Sequence, residues 1–370
     1  MAETRIRVLL LFGGRSAEHD VSRVTAVSIA RALDRDRYEV VPVAITTDGR
    51  WLLAHDATRM LEGARDALPH AFDIEGTPVV PSADPTRAEL VASDGRPSFA
   101  VDVVFPVLHG PYGEDGTVQG LLELAGLPYV GGGVLASALG MDKVAMKRAF
   151  RACGLPQAEY LEFRDGADRG DFCTRVEREL GLPCFVKPAN MGSSVGVTKA
   201  HDRAELEAAV SVALEYDEWI LAEEAIVGRE IEVAVLGDDP PIASTAGEII
   251  PGEEFYSYAD KYEADRARTE IPARLDAAAL TTVRGLAVAA FEACRGEAMA
   301  RVDFFYEEEH RERGFLLNEL NTIPGFTPIS MYPKLWAASG IDYPTLMDRL
   351  IELAIARHGR REKRAGRQRR

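Results

Sequence analysis

Segment 6–45 narrows the fold more than any other stretch of the chain. Residues 6–12 read IRVLLLF, an unbroken apolar run of the kind a chain uses for a strand buried on both faces. Gly13-Gly14-Arg15-Ser16 follows as a tight turn. Residues 18–33 then carry helical spacing, with Val21, Val24, Ile29 and Leu33 as core positions, and residues 38–45 (YEVVPVAI) give a second strand. Strand, glycine turn, helix and strand make the unit of an open α/β fold, whose ligands sit beyond the carboxyl ends of the strands. The turn is not a full G-x-G-x-x-G, so it lends a dinucleotide site little support. Glu18 and His19 open the helix, either as first-turn polar residues suited to the helix dipole or as part of a site.

At 370 residues the chain has room for two or three domains, each with its own core. Apolar residues make up 46% and charged residues 28%, as in an ordinary globular protein. The net charge of −16 argues against general nucleic-acid binding. Residues 358–370 run the other way, with seven Lys or Arg and one Glu, and are expected to be a solvated, disordered tail. Cys153, Cys173, Cys184 and Cys294 form no CxxC pair, which predicts reduced, mostly buried thiols and a cytoplasmic location. The first apolar run is too short for a signal segment, and no stretch reaches transmembrane length.

Further along, residues 101–108 predict another strand ending at His109, followed by the glycine-rich loop HGPYGEDG. His109 either caps that strand or faces a ligand. Residues 117–125 read as a helix and 127–133 as a short strand and turn. Residues 134–153 read as one helix with Met141-Asp142-Lys143 near its middle. Strands are expected at 160–162 and 184–187. Lys187 ends the second of these and leads into PANMGSSVGV, an arrangement that can set an ammonium and backbone N–H groups around phosphate oxygens. It is not a Walker A loop, because the lysine precedes the glycines. Residues 202–216 predict a surface helix. Residues 219–224 predict a strand continuing through 225–228 into 229–236. Segment 251–270 is either a mobile lid or a surface loop, and 275–294 an amphipathic helix.

Residues 301–306 and 315–320 then form two apolar runs around a charged turn, the pattern of a β-hairpin. Alternation puts Arg301, Asp303 and Phe305 on one face of the first strand, and Phe315, Leu317, Glu319 and Asn321 on one face of the second. If the polar faces pair, Arg301, Asp303, Glu319 and Asn321 meet. Hard oxygen donors beside an arginine suit Mg²⁺ and an anion, but they equally suit a partly exposed sheet face. Segments 335–338 and 343–357 look helical.

Taken together, GGRSAEHDVS, HGPYGEDGTVQGLLELAGLPYVGGGVLASALGMDK, KPANMGSSVGV, the EE…GREIEV region, DKY, RVDFF and NELNTIPGFTPISMYPKLW resemble the D-alanine–D-alanine ligases of the ATP-grasp superfamily. The resemblance spans residues 13–336, in the family's order. It implies an α/β protein of three domains in the ATP-grasp architecture. These would be an N-terminal open α/β substrate domain at 1–130, a central ATP-grasp domain at 131–226 and a C-terminal ATP-grasp domain at 227–357. A lid at 251–270 and the basic tail at 358–370 complete the division. The implied reaction joins two D-alanines with ATP, through a D-alanyl phosphate, for peptidoglycan synthesis in the cytoplasm. The implied assembly is a homodimer, with no nucleic-acid or membrane partner.

By the same resemblance, Lys143 and Lys187 would contact the ATP phosphates under loop 191–196. Glu223, Glu224 and Ile226 would line the adenine pocket, partly through backbone groups, and Glu230 would hold the ribose. Asp303, Glu319 and Asn321 would ligate two Mg²⁺ (or Mn²⁺) ions. Glu18 would pair with the first D-alanine's ammonium, with His109 near its carboxylate. Ser193 and Tyr262 would bond to each other and to Glu18. Arg301 and the Gly325 N–H would stabilise the oxyanion, while Ser330 and the Met331 N–H would bind the second D-alanine's carboxylate. Tyrosine at the lid position goes with D-alanine as second substrate in this family, where D-lactate ligases carry histidine. Segment 264–269 is more Arg-rich than the family pattern.

Overall fold

The computed structural model describes residues 5–54, 75–251, 268–308, 313–327 and 329–364. Three sheets organise them. The first contains β1 (Ile6–Gly13), β2 (Tyr38–Ile45), β3 (Trp51–Ala54), β4 (Gly76–Pro81), β5 (Glu89–Ala92), β6 (Phe99–Ala100) and β7 (Val103–Pro106), in the order β6-β5-β4-β3-β2-β1-β7. Strand β1 pairs in parallel with both β2 and β7, as its unbroken apolar sequence requires. Helix α1 (His19–Ala32) crosses between β1 and β2. At the turn, Gly13 has φ +91°, and a Cβ there would lie 2.2 Å from the Ile45 carbonyl oxygen, so only glycine fits.

The second sheet is antiparallel, ordered β10-β9-β11-β8, from β8 (Tyr160–Arg164), β9 (Cys184–Pro188), β10 (Thr198–Ala200) and β11 (Trp219–Glu224). The third is ordered β14-β13-β12-β15-β16, from β12 (Arg229–Leu236), β13 (Ile242–Ile250), β14 (Arg268–Glu270), β15 (Met299–Glu307) and β16 (Gly314–Asn321). The expected continuous strand from 219 to 236 is therefore two strands in two different sheets. Residues 225–228 connect them, and Val227 in that connector is 90% exposed.

The helices after α1 are α2 (Thr117–Leu124), α3 (Val134–Met141), α4 (Lys143–Ala152), α5 (Arg169–Glu179), α6 (Arg203–Leu214), α7 (Ala277–Ala293), α8 (Met331–Ala338) and α9 (Tyr343–Glu362). The single helix expected over 134–153 is broken at Asp142, which adopts extended backbone. Its side chain accepts the Ala145 N–H and caps α4. Residues 127–133 make no strand, only an isolated bridge between Val104 and Tyr129.

One core joins the first and third sheets. Val8, Leu10 and Phe12 of β1 share it with Tyr332, Trp336, Leu346 and Leu350 of α8 and α9, and with Leu236 and Met299 of the third sheet. Phe105, Phe326 and Tyr332 pack edge to face within it, at 6.1 and 5.3 Å. Each such side chain contributes roughly 1.5–3 kcal/mol by burial, so the turn carrying Phe326 is held against β7. The first residues of the basic run, expected to be disordered, are helical instead: α9 runs to Glu362. Arg361 pairs with Glu123 and Glu297 at 2.5 Å, and Arg360 pairs with Asp238. Acids from distant segments, invisible in the local sequence, neutralise the first part of that basic run. Three cysteines are buried and Cys153 is exposed; all four are free.

Candidate active site

The hairpin β15–β16 forms one wall of the site. Arg301 pairs with Asn321 and Asp303 with Glu319, so the four polar residues meet as alternation predicts. Beyond Asp303 the register shifts: Phe304 faces Leu317, leaving Asn318 as the extra residue of a bulge. The extra residue reverses the phase. Phe315 and Leu317 turn into the core with Val302 and Phe304, rather than sharing a face with Glu319 and Asn321. A strict two-residue period cannot anticipate that inversion.

Arg301 binds both Asp303 oxygens, Nε to Oδ1 at 2.7 Å and an Nη to Oδ2 at 2.6 Å, and its Nε lies 3.2 Å from Glu232 of β12. Burial works against the guanidinium charge, but Asp303 and Glu232 hold its pKa well above the ordinary value. Asn321 Nδ2 donates to Asp303 at 3.0 Å, which leaves the carboxamide oxygen for a cation.

The opposite wall comes from the second sheet and α4. Lys187 on β9 donates to the Glu223 carboxylate on β11 at 2.5 Å. Lys147 on α4 reaches the other Glu223 oxygen as an ion pair. Burial alone would raise the Glu223 pKa; the two ammonium groups more than offset it and hold it at about 2. Glu223, expected to line the adenine pocket partly through backbone groups, borders the cleft while its side chain binds both lysines. Glu224 is held by Arg313 at 2.5 and 3.1 Å and accepts the Glu159 N–H at 2.8 Å. Ile226 and Glu230 line the same cleft. The break at Asp142 places Lys143 at the first position of α4, where its ammonium donates to the Met191 carbonyl at 2.5 Å. Asn190 ties the start of the loop to Asp142 and Asp217 at 3.3 and 3.0 Å.

Loop 191–196 crosses from this wall to the first sheet. Ser193 and Ser194 adopt φ +48° and +60°, conformations that disfavour L-residues by about 1–2 kcal/mol each. What the strain achieves is contact: Ser193 Oγ donates to Glu18 at 2.5 Å. Beside Glu18, the buried His109 shares its Nδ1 hydrogen bond with the Ile323 carbonyl at 3.2 Å. Its Nε2 has no hydrogen-bond partner among the described residues. Burial lowers the His109 pKa, against an opposing pull from Glu18. Glu114 accepts the Gly110 N–H at 2.8 Å, and burial, followed by the Glu18 charge, pushes its pKa up to about 8.

At the foot of the cleft Ser330 N-caps α8, with Met331 at the first helical position, so the free N–H groups of that helix start lie at the cleft. A Cβ on Gly325 would lie 2.8 Å from Ser330 Oγ, so glycine keeps that approach open. All of the sequence-predicted residues named above border one cleft of about 1130 Å³. Tyr262 lies outside the described residues.

Both halves of the chain match known family models, the D-ala D-ala ligase N-terminus over residues 7–132 and the D-ala D-ala ligase C-terminus over 149–352. A curated D-alanine–D-alanine ligase of Geobacillus kaustophilus is 47% identical over 358 residues, covering 96% of each chain. The chain belongs to the D-alanine–D-alanine ligase family. Among solved structures, the D-alanine–D-alanine ligase of Coxiella burnetii matches with TM-score 0.85 and 36% identity, over 97% of this chain and 96% of that one. The VanG D-Ala:D-Ser ligase of Enterococcus faecalis matches with TM-score 0.83 and 33% identity, over 95% and 100%. The fold is therefore the ATP-grasp fold of these ligases.

Sequence reasoning about this ligase fold passed over Lys147, Glu232 and Glu114. Lys147 and Glu232 were hidden for one reason: a charged residue inside an amphipathic helix or strand reads as solvent-facing. For Lys147 the available signal was its place one turn after Lys143, on the same helix face.

Proposed function

We propose that this chain joins two D-alanines into D-alanyl-D-alanine, with ATP converted to ADP and phosphate, to supply peptidoglycan synthesis in the bacterial cytoplasm. One observation carries the residue-level reading. The Arg301–Asp303–Glu319–Asn321 face, Lys187 with its partner Glu223, and the Glu18–Ser193 contact all border one cleft, in a chain of this family.

A carboxylate is a poor acyl donor because its leaving group would be oxide. Transfer of the ATP γ-phosphoryl group to a carboxylate oxygen of the first D-alanine releases ADP and gives an acyl phosphate, whose leaving group is phosphate. The neutral amine of the second D-alanine then attacks the acyl carbon, and the tetrahedral oxyanion collapses to the amide as the bond to phosphate breaks and the amine gives up one proton. Lys143 and Lys187 offset charge on the transferring group, and Glu18 holds the first ammonium. Arg301 and the Gly325 N–H bear on the oxyanion. The N–H groups at the start of α8, with Ser330, receive the second carboxylate. His109, whose Nδ1–H is held by the Ile323 carbonyl, lies beside Glu18 on the side of the first carboxylate. Loop 191–196 helps to exclude water from the acyl phosphate.

Among the described residues no three His, Cys, Asp or Glu side chains are gathered to hold a metal alone. Mg²⁺ sites that also hold substrate phosphates commonly use only one or two carboxylates. Asp303 and Glu319 face each other across the hairpin with Asn321 opposite Arg301, which sets hard oxygen donors of the kind Mg²⁺ takes side by side. Asp303, Glu319 and Asn321 would hold two Mg²⁺ or Mn²⁺ ions, which would screen the phosphate charges during transfer.

The three sheets, at residues 6–106, 160–224 and 229–321, support domains at 1–130, 131–226 and 227–357, with α9 extending the last to 362. Exposed Leu121 and Leu124 on α2 and Leu135 on α3 support a homodimer. Among the described residues no helix is long and apolar enough to cross a membrane.

The test is phosphate release from ATP and Mg²⁺ dependent on D-alanine, with the product identified by mass. D-alanyl-D-alanine is expected, and no D-alanine-dependent release would overturn the reading. The similarity to a D-Ala:D-Ser ligase makes the second substrate a separate question. With D-serine or D-lactate in competition at neutral pH, D-alanine is expected to dominate the product.

A further inference from the structure

Glu223 is 2% exposed and faces two ammonium groups from different elements. Lys187, on the neighbouring strand β9, borders the cleft with its side chain 14% exposed. Lys147, on α4, is 1% exposed and does not border the cleft; its ammonium lies 5.5 Å from the centre of the Tyr160 ring. A ligand in the cleft can therefore reach Lys187 but not Lys147.

A buried carboxylate without a counter-ion costs several kcal/mol. If Lys187 were the sole partner of Glu223, a phosphate drawing it away would leave that carboxylate uncompensated, and binding would have to overcome the loss. Two lysines share one carboxylate; burial lowers the Lys147 pKa, against opposing pulls from Glu223 and Glu319. Lys147 keeps Glu223 compensated from behind while Lys187 turns its charge toward the cleft. We infer that Lys147 is a positioning residue, the resident counter-ion of Glu223 that frees Lys187 to serve the nucleotide phosphates. The inference rests on the proposed contact between Lys187 and the ATP phosphates. The same helix supplies Lys143 one turn earlier, so α4 would contribute one lysine directly and a second through Glu223.

The experiment measures ATP affinity by calorimetry and KM for ATP and D-alanine on the full-length protein and five variants. Lys147→Met is expected to weaken ATP binding by about tenfold or more while leaving KM for D-alanine within about twofold, because the uncompensated Glu223 retains Lys187. Adding Glu223→Gln to Lys147→Met should restore most of the ATP affinity, since no carboxylate then holds Lys187 back. Lys147→Arg, which keeps the charge, should fall near wild type. A Lys147→Met protein of lowered melting temperature but unchanged ATP affinity would make Lys147 merely structural and overturn the inference, as would a double variant weaker than either single.

If Lys147→Met does not fold, Glu223→Gln and the double variant decide. Equal ATP affinity in the two supports the counter-ion role, and a further loss on removing Lys147 overturns it. Lys187→Met separates the two readings. Unchanged ATP affinity there withdraws the phosphate contact itself. Weakened affinity there, with none in Lys147→Met, defeats only the counter-ion role.

Discussion

Asp303 accepts from both Arg301 and Asn321. Asp303→Asn leaves Glu232 beside Arg301, and stability should change little. Turnover should fall by about 100-fold or more, because the lost charge belongs to the phosphoryl-transfer step. Initial rates at saturating ATP and D-alanine, set beside thermal melts, decide; normal turnover would make the hairpin face structural. Glu114 offers a second test. Its folded pKa is about 8 against an ordinary 4.5, so between those values the folded state holds a proton that the unfolded chain releases. The stability tied to this group is present below about pH 4.5 and is lost as pH rises through about 8. Glu114→Gln stays neutral throughout, so its melting temperature should gain on wild type as pH rises from about 5 to 9. A difference that does not vary with pH would show that Glu114 is not held protonated. These roles were only partly legible in sequence: Asp303 was marked by alternation, whereas the raised pKa of Glu114 comes from burial and then from Glu18, both supplied by the fold.

The elements show where local pattern runs out. The apolar periodicity of 134–153 continues through Asp142, so the sequence reads as one helix, yet the chain breaks there and restarts. Asp142 caps the restart and also receives the Asn190 amide, which fixes the beginning of loop 191–196. Asp142→Ala should lower unfolding free energy by about 1 kcal/mol through the lost cap. It should also weaken ATP binding, because Lys143 then loses its place at the helix start. Denaturant melts and calorimetry on the same variant test the two together, and a stability loss with intact ATP affinity would separate Lys143 from the cap. The hairpin carries the same lesson. Its strands and polar face followed from residue type, but the Asn318 bulge that sends Leu317 to the core is a property of two strands pairing, not of one.

For the molecule as a whole, α9 ties the first sheet's end to the third. Arg357, 4% exposed, donates to the carbonyls of Gly131 and Tyr129 at 2.5 and 2.6 Å and pairs with Glu297 at 3.2 Å. Replacing it with alanine strands two carbonyls and a carboxylate, and should cost about 2–4 kcal/mol of unfolding free energy by denaturant titration. Loss of less than about 0.5 kcal/mol, the range of ordinary surface substitutions, would show that the helix is not a tie.

The sequence alone determined the parallel α/β start, the polar face of the hairpin, the lysine that leads the serine–glycine loop, and the family resemblance. Each depends on residue type and on spacing within a single element, and a local pattern preserves such information. The tertiary structure decided that strands at 219–224 and 229–236 belong to different sheets, that the first residues of the basic tail meet Glu123, Glu297 and Asp238, and that Lys147 and Glu232 are buried charges. A charge is tolerated in the interior only beside its counter-ion, and here the counter-ions come from segments far apart in the chain. Glu223 between Lys147 and Lys187 could be known only once the fold had brought the three together.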